Sequence, residues 1–183
     1  MTHDELQKVM AEADCLADEQ AVERAIAAVA GSITKDMQDA MPVVLCVVKG
    51  GIVFAGQLLT RLSFPLDFDY IHATRYENGT QGDRLRWEVS PSVSLSGRHV
   101  LVLDDILDVG ATLEEIVRWC LGQGALSVRT AVLVDKRHSR KVRPGLRADY
   151  TGLDIADRYV FGYGMDYQGY WRNAAGIFAV KGL

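Results

Sequence analysis

The sequence has no excess of positive charge. Its 20 Lys and Arg are outnumbered by 24 Asp and Glu, for a formal net charge of −4. That balance argues against nucleic acid or an anionic membrane as the main partner. An anionic ligand would have to be met by local cations. Long apolar runs are also missing. A stretch such as "VVLCVV" at 43–48 falls far short of the roughly 20 residues that span a bilayer. The opening "MTHDELQKVM" carries charge and has no apolar signal core, so a cytoplasmic location is expected. The three cysteines, Cys15, Cys46 and Cys120, are odd in number and far apart, with no metal-ligand spacing. They are expected to be core thiols in a reducing compartment. The four histidines, at 3, 72, 99 and 138, form no cluster in sequence, which excludes the usual zinc patterns. Internal repeats and low-complexity segments are lacking too.

What is present suits a globular enzyme-sized domain. Apolar residues make up 49% and charged residues 24% of 183 positions, enough for a real core and too few charges for disorder. Residues 4–40 read as helical, with Val22, Ile26, Val29, Ile33 and Met37 at three- and four-residue steps. "VVLCVV" reads as a strand covered on both faces, followed by Gly50 and Gly51 and a helix over "IVFAGQLLTRL". "PLDFDYIHATRY" has the period of a strand, "ENGTQGDR" that of a mobile loop, and "LRWEV" that of a returning strand. "HVLVLDD" is a buried strand, and "TLEEIVRWCLGQG" is a helix with Leu113, Ile116, Val117, Cys120 and Leu121 on one face. "SVRTAVLVDK" is the next strand. Strands and helices alternating with glycines at the junctions predict an α/β fold with a mainly parallel central sheet flanked by helices. In such sheets ligands bind at the carboxyl ends of the strands. Lys49, Asp104, Asp105 and Lys136 all fall just past expected strand ends.

"LVLDDILDVGATLEEI" at 101–116 carries the chemistry. Thr112 and Glu115 match the Ser/Thr-x-x-Glu capping box, which predicts a helix start near Thr112. The free amides and dipole of that start, with Gly110 letting the backbone come close, form a cradle for a phosphate over Asp108, Val109, Gly110, Ala111 and Thr112. Acids beside a phosphate must face something else: sugar hydroxyls, a cation, or a proton to be removed. A sugar phosphate satisfies both halves, with Asp104 and Asp105 accepting from a ribose diol.

"VLVLDDILDVGATL" resembles the activated-sugar signature of the type I phosphoribosyltransferases, a family that includes both enzymes and regulators. "VVKGG" at 47–51 resembles the pyrophosphate loop of its hypoxanthine-guanine branch, and "VLVDKR" the position of a lysine that reaches the purine 6-oxo group. "DRYVFGYGMDYQGYWRN" at 157–173 resembles the branch's C-terminal hood segment, and "ATRYENGT" its mobile loop. The resemblance spans about residues 43–183. It implies the type I phosphoribosyltransferase fold as one domain over 1–183, with a helical region at 1–40, a mobile loop near 75–86 and a hood drawn from about 150–183.

The resemblance also implies transfer of a 5-phosphoribosyl group from 5-phosphoribosyl-1-pyrophosphate to hypoxanthine or guanine, with Mg²⁺ as cofactor. Asp108 would manage the proton at purine N7. Lys49, Gly50, Arg172, Arg75 and Tyr76 would bind pyrophosphate. Lys136, Tyr159 and the Val160 carbonyl would bind the purine. Asp166 would line the base site and help Asp104 and Asp105 hold the metal. A homodimer or homotetramer is implied, with small-molecule partners and neither nucleic acid nor membrane.

The sequence departs from the family pattern at several points. Val109 stands where Thr or Ser is usual, losing one hydroxyl donor, worth on the order of 1 kcal/mol. Asp104 replaces the commoner Glu, Tyr159 the commoner Phe, and Arg75 the usual serine of the loop. Two other readings stay open. One is a xanthine-preferring transferase. The other is a non-catalytic regulator that senses the activated sugar, against which stand the acidic balance and the lack of a basic or winged-helix segment.

Overall fold

The computed structural model describes residues 1–75 and 85–182, with side chains described over 1–73 and 87–182. The chain opens with helix α1 (His3–Glu12), started by a reciprocal cap between Thr2 and Glu5. No residue of α1 is buried. Strand β1 (Asp14–Asp18) follows, then helix α2 (Glu19–Met37), capped by the Asp18 carboxylate accepting from Ala21 N–H at 2.8 Å. The predicted continuous helix over 4–40 is therefore interrupted. The strand forms because β9 (Gly176–Ala179), at the other end of the chain, offers an antiparallel partner. The apolar stripe of α2 behaves as its spacing requires: Val22, Ile26, Val29, Ile33 and Met37 are all buried.

β2 (Val43–Val48) is the six-residue apolar run itself, buried over its first five positions. It leads through Lys49, Gly50 and Gly51 into α3 (Ile52–Leu59). β3 (Asp67–Arg75) and β4 (Leu85–Val89) pair antiparallel around the undescribed segment. β5 (His99–Leu107), α4 (Ala111–Gly122), β6 (Ser127–Arg137) and β7 (Tyr150–Ala156) complete the main sheet, whose order is β4-β3-β2-β5-β6-β7. All its pairings except β3–β4 are parallel. Leu101, Leu103, Ala131 and Leu133 face the α2–α3 side, and Val100, Val102 and Val132 face α4, so the central strands are covered on both faces.

A second, three-stranded sheet has the order β1-β9-β8, with β8 spanning Val160–Phe161. This is the hood. Residues 150–156, expected within it, instead form the outer strand of the main sheet, because β7 pairs parallel with β6. Its place in the hood is taken by β1, from the other end of the chain.

Two further local expectations are revised. Asp104 and Asp105 lie inside β5, not past its end, because pairing with β6 continues to Leu107. The helix begins one residue earlier than the Thr112 start predicts: α4 starts at Ala111 with Gly110 as its cap residue in the left-handed region, φ +90°. Of the three thiols, Cys46 and Cys120 are buried, and burial pushes each up to about 12; Cys15 is exposed on the narrow strand β1. Leu121, assigned to the apolar face of α4, is half exposed. Among the described residues, no helix is long and apolar enough to cross a membrane.

Candidate active site

β2 runs to β3 on one side of the sheet, while β5 runs to β6 and β7 on the other. The winding reverses between β2 and β5, which is where ligands sit in open α/β sheets. The loop after β2 and the acidic end of β5 meet there closely. A Cβ at Gly50 would stand 2.0 Å from Asp105 Oδ2, so only glycine fits. Gly164 of the hood lies over the same loop, where a Cβ would come 2.1 Å from the Gly50 carbonyl. The hood thus lies on the loop backbone to backbone, and the loop lies on the Asp105 side chain of β5.

Two cavities open at this point. One, of about 350 Å³, is lined by residues 104–110 with Thr112 and Leu113. Its floor is the turn from β5 into α4. A Cβ on Gly110 would meet Leu146 Cδ2 at 2.3 Å, and the positive φ suits glycine as well. The turn is fixed from behind: Val142 N–H donates to the Val109 carbonyl at 2.8 Å, and Lys141 Nζ donates to the Leu107 carbonyl and to the buried Asp135, each at 2.7 Å. The amides at the start of α4 therefore face the cavity from a rigid base.

The second cavity, of about 250 Å³, is lined by Asp105, Ile106, Asp108, Lys136, Tyr159, Val160, Met165 and Asp166. It shares Asp105, Ile106 and Asp108 with the first, so the two adjoin along β5. Lys136 is buried, and its Nζ lies 3.0 Å from Asp108 Oδ2. His138 Nε2 lies 2.7 Å from Asp108 Oδ1. Tyr159 is exposed on the rim with its ring edge-on to Tyr167, 5.7 Å between centroids. Val160 and Met165 are buried and give the cavity an apolar wall.

The acids divide into two kinds. Burial raises the carboxyl of Asp104, and the neighbouring charge of Asp105 raises it further. Burial raises Asp105 as well, with Arg172 pulling back. Among the described residues neither is ion-paired. Partial burial pushes Asp108 upward too, but Lys136 and His138 together outweigh it and hold that carboxyl below its ordinary value. Asp166 accepts from Gly169 N–H at 2.6 Å and pairs with Arg172 at 2.5 Å, while Arg172 also donates to the Gly164 carbonyl at 2.6 Å.

The residues singled out in the sequence are thus mostly brought together: Asp104, Asp105, Asp108, Val109, Gly110 and Thr112 around one cavity, and Lys136, Tyr159, Val160 and Asp166 around the other. Ala111 is the first residue of α4. Lys49 is exposed on the loop beside them, and neither it nor Arg172 lines either cavity. The backbone of Arg75 ends β3, and Tyr76 lies outside the described residues. His138 was missed. A lone histidine two residues past Lys136 gives no sign that it will meet an aspartate from the turn after another strand. Ligand atoms of Asp108, His138 and Asp157 lie within 4.8 Å of one another, a spacing open to a metal ion. Lys136 and Arg140 already neutralise the two carboxylates, which makes this an ion-pair cluster.

Comparison with known proteins was made on sequence and on structure. Residues 12–168 match the phosphoribosyl transferase domain family. The chain is 29% identical over 167 residues to a Bacillus subtilis hypoxanthine-guanine phosphoribosyltransferase, covering 91% of this chain and 92% of that protein. It is 31% identical to a Tritrichomonas foetus hypoxanthine-guanine-xanthine phosphoribosyltransferase, covering 87% of each. A crystal structure of a Staphylococcus aureus hypoxanthine phosphoribosyltransferase superposes with a TM-score of 0.85 at 28% identity, covering 92% of this chain and 91% of that one.

Proposed function

The chain belongs to the phosphoribosyl transferase domain family, and from that premise we propose that it joins a 6-oxopurine, hypoxanthine or guanine, to the 5-phosphoribosyl group of 5-phosphoribosyl-1-pyrophosphate, releasing pyrophosphate in purine salvage. One observation carries this reading: two cavities share Asp105, Ile106 and Asp108, one bounded by a helix-start phosphate cradle and the other by a buried lysine and an aromatic rim. A sugar phosphate fits the first and a flat base the second, with C1′ between them at β5.

The roles follow from the chemistry of each group. The amides at 109–112 hold the 5′-phosphate. Asp104 and Asp105 accept from the ribose hydroxyls. The purine ring nitrogen bonds to C1′ as the C1′–oxygen bond to pyrophosphate breaks, and the purine N–H proton passes to the Asp108 carboxylate. Lys49, Gly50 and Arg172, with Arg75 and Tyr76 of the loop, meet the departing pyrophosphate. Lys136 donates to the 6-oxo group, Tyr159 stacks on the ring and the Val160 carbonyl reads the purine edge. In the free protein Lys136 is tied to Asp108. A bound 6-oxo group would draw that ammonium toward itself and raise the basicity of the carboxylate that takes the proton. Adenine offers a 6-amino group instead and would leave Lys136 where it is.

A divalent cation suits the remaining acids. Asp104 and Asp105 offer hard carboxylate oxygens whose own charge is disfavoured by burial, and a cation removes that cost. Asp166 could join them once its Arg172 partner turns to an anion. Mg²⁺, when bound there, would supply positive charge that neutralises the departing pyrophosphate. A cytoplasmic location and assembly as a homodimer or homotetramer complete the proposal, the latter open to light scattering. The functional test is an absorbance assay with the activated sugar, Mg²⁺ and each of hypoxanthine, guanine, xanthine and adenine. Nucleotide formation with the first two and none with adenine is expected. Formation only with xanthine, or none with any base, would overturn the reading.

A further inference from the structure

We infer that His138 is a positioning residue for Asp108: its ring holds the carboxylate through a fixed Nε2–H donor while Lys136 is free to turn toward the base. This rests on the phosphoribosyl-transfer reading above. The geometry of the ring carries it. The His138 side chain is 4% exposed. Its Nδ1 lies 3.0 Å from the backbone nitrogen of Arg140, whose N–H can only donate. Nδ1 must then carry a lone pair, which leaves the ring proton on Nε2. Nε2 is 2.7 Å from Asp108 Oδ1, so in this tautomer the ring donates to the carboxylate.

Charged groups from every neighbouring element face this ring. Asp108 comes from the turn after β5, Lys136 from the end of β6 just before the ring, Arg140 from the loop that also carries the ring, and Asp157 from the turn after β7. Arg140 binds Asp157 at 2.7 Å and stands 4.0 Å from Asp108. Two cations therefore balance two carboxylates, and the ring serves as a neutral dipole between them. Lys136 and His138 hold different oxygens of Asp108. Once the ammonium moves to a 6-oxo group, His138 alone keeps the second oxygen in place. The aspartate then stays aimed at the purine without Lys136. His138 lines neither of the two cavities, so it acts through Asp108 and not on substrate.

The test compares the wild-type enzyme with His138→Ala and His138→Gln. In His138→Ala, kcat should fall on the order of tenfold or more, as expected for losing a hydrogen bond to a charged group. KM for the activated sugar should be unchanged. The acid limb of the kcat–pH profile should move to higher pH, because Asp108 loses a donor that stabilises its ionised form. His138→Gln, whose amide can donate in the same direction, should recover much of both. Long-range nitrogen–proton NMR of the histidine-labelled wild type should show the Nε2–H tautomer. An Nδ1–H tautomer would overturn the inference, as would a His138→Ala enzyme with unchanged kcat and acid limb. If His138→Ala does not fold, the glutamine variant and the tautomer decide. If no purine gives nucleotide, the function proposed above fails, while the tautomer still tests the His138–Asp108 contact.

Discussion

The central sheet and the hood meet at the second cavity but are held together by different means. The sheet is made of long strands buried on both faces, and its side chains decide its shape: Leu101, Leu103, Leu133, Val102 and Val132 are fully buried. The hood is made of short strands from both ends of the chain, joined by turns in which Gly162, Tyr163, Gly164, Gln168, Gly169 and Trp171 all have positive φ. Its connections are largely backbone bonds, such as Gly164 N–H to Arg172 O at 2.9 Å and Tyr163 N–H to Ala174 O at 3.0 Å, with a Trp171 indole N–H to Leu6 O of α1. The lesson is a division of labour. The sheet fixes Asp104, Asp105 and Asp108 with little freedom. The hood carries Tyr159, Asp166 and Arg172 on short strands and backbone-bonded turns.

The contrast is sharpest at Asp108, the acid in the turn at the end of β5. Asp108→Asn should lower kcat by about 10²–10⁴-fold, the range for removing a proton-transfer group. The dissociation constant for the activated sugar, measured by calorimetry, should change little. Near-normal turnover would discard the role assigned to Asp108. Next in size, Leu103→Ala should destabilise the protein by about 2–5 kcal/mol in urea unfolding, because the close-packed sheet cannot collapse around the void. Arg172→Ala in the hood should cost only about 1 kcal/mol of stability by the same measurement, since it removes partly exposed hydrogen bonds. Its kcat/KM should nevertheless fall on the order of tenfold. A hood variant as destabilising as the sheet variant would erase the distinction.

The smallest effect has the opposite sign. Asp104 titrates above its ordinary value in the folded protein, so its ionisation opposes folding. That cost is absent below the unfolded carboxylate range and grows as pH rises through it. Metal-free Asp104→Asn should therefore be more stable than the parent at neutral pH, by about 1 kcal/mol, with the gain vanishing at low pH. Thermal unfolding at two pH values would check this, and a loss of stability at neutral pH would contradict it.

How much of this was legible in the sequence depended on where each residue finds its partners. β2 and β6 could be bounded closely because strands covered on both faces appear as unbroken apolar runs. The acid string of β5 could be recognised because its meaning lies in local spacing. β1 could not be foreseen, since its five residues become a strand only through β9 at the far end of the chain. Nor could the exact start of α4, which is set by a left-handed Gly110 packed against Leu146. His138 was silent for the same reason as β1, since its partner lies 30 residues away in the turn after β5. The backing of the phosphate turn by Lys141, Val142 and Leu146 is likewise a tertiary fact.

The central claim is that the activated sugar sits on the sheet side of this divide. The most direct measurement is a crystal structure of the protein soaked with 5-phosphoribosyl-1-pyrophosphate and Mg²⁺. The account predicts the 5′-phosphate on the amides of 109–112, the ribose beside Asp104 and Asp105, and the pyrophosphate toward Lys49 and Arg172. A sugar bound anywhere away from the end of β5 would contradict it.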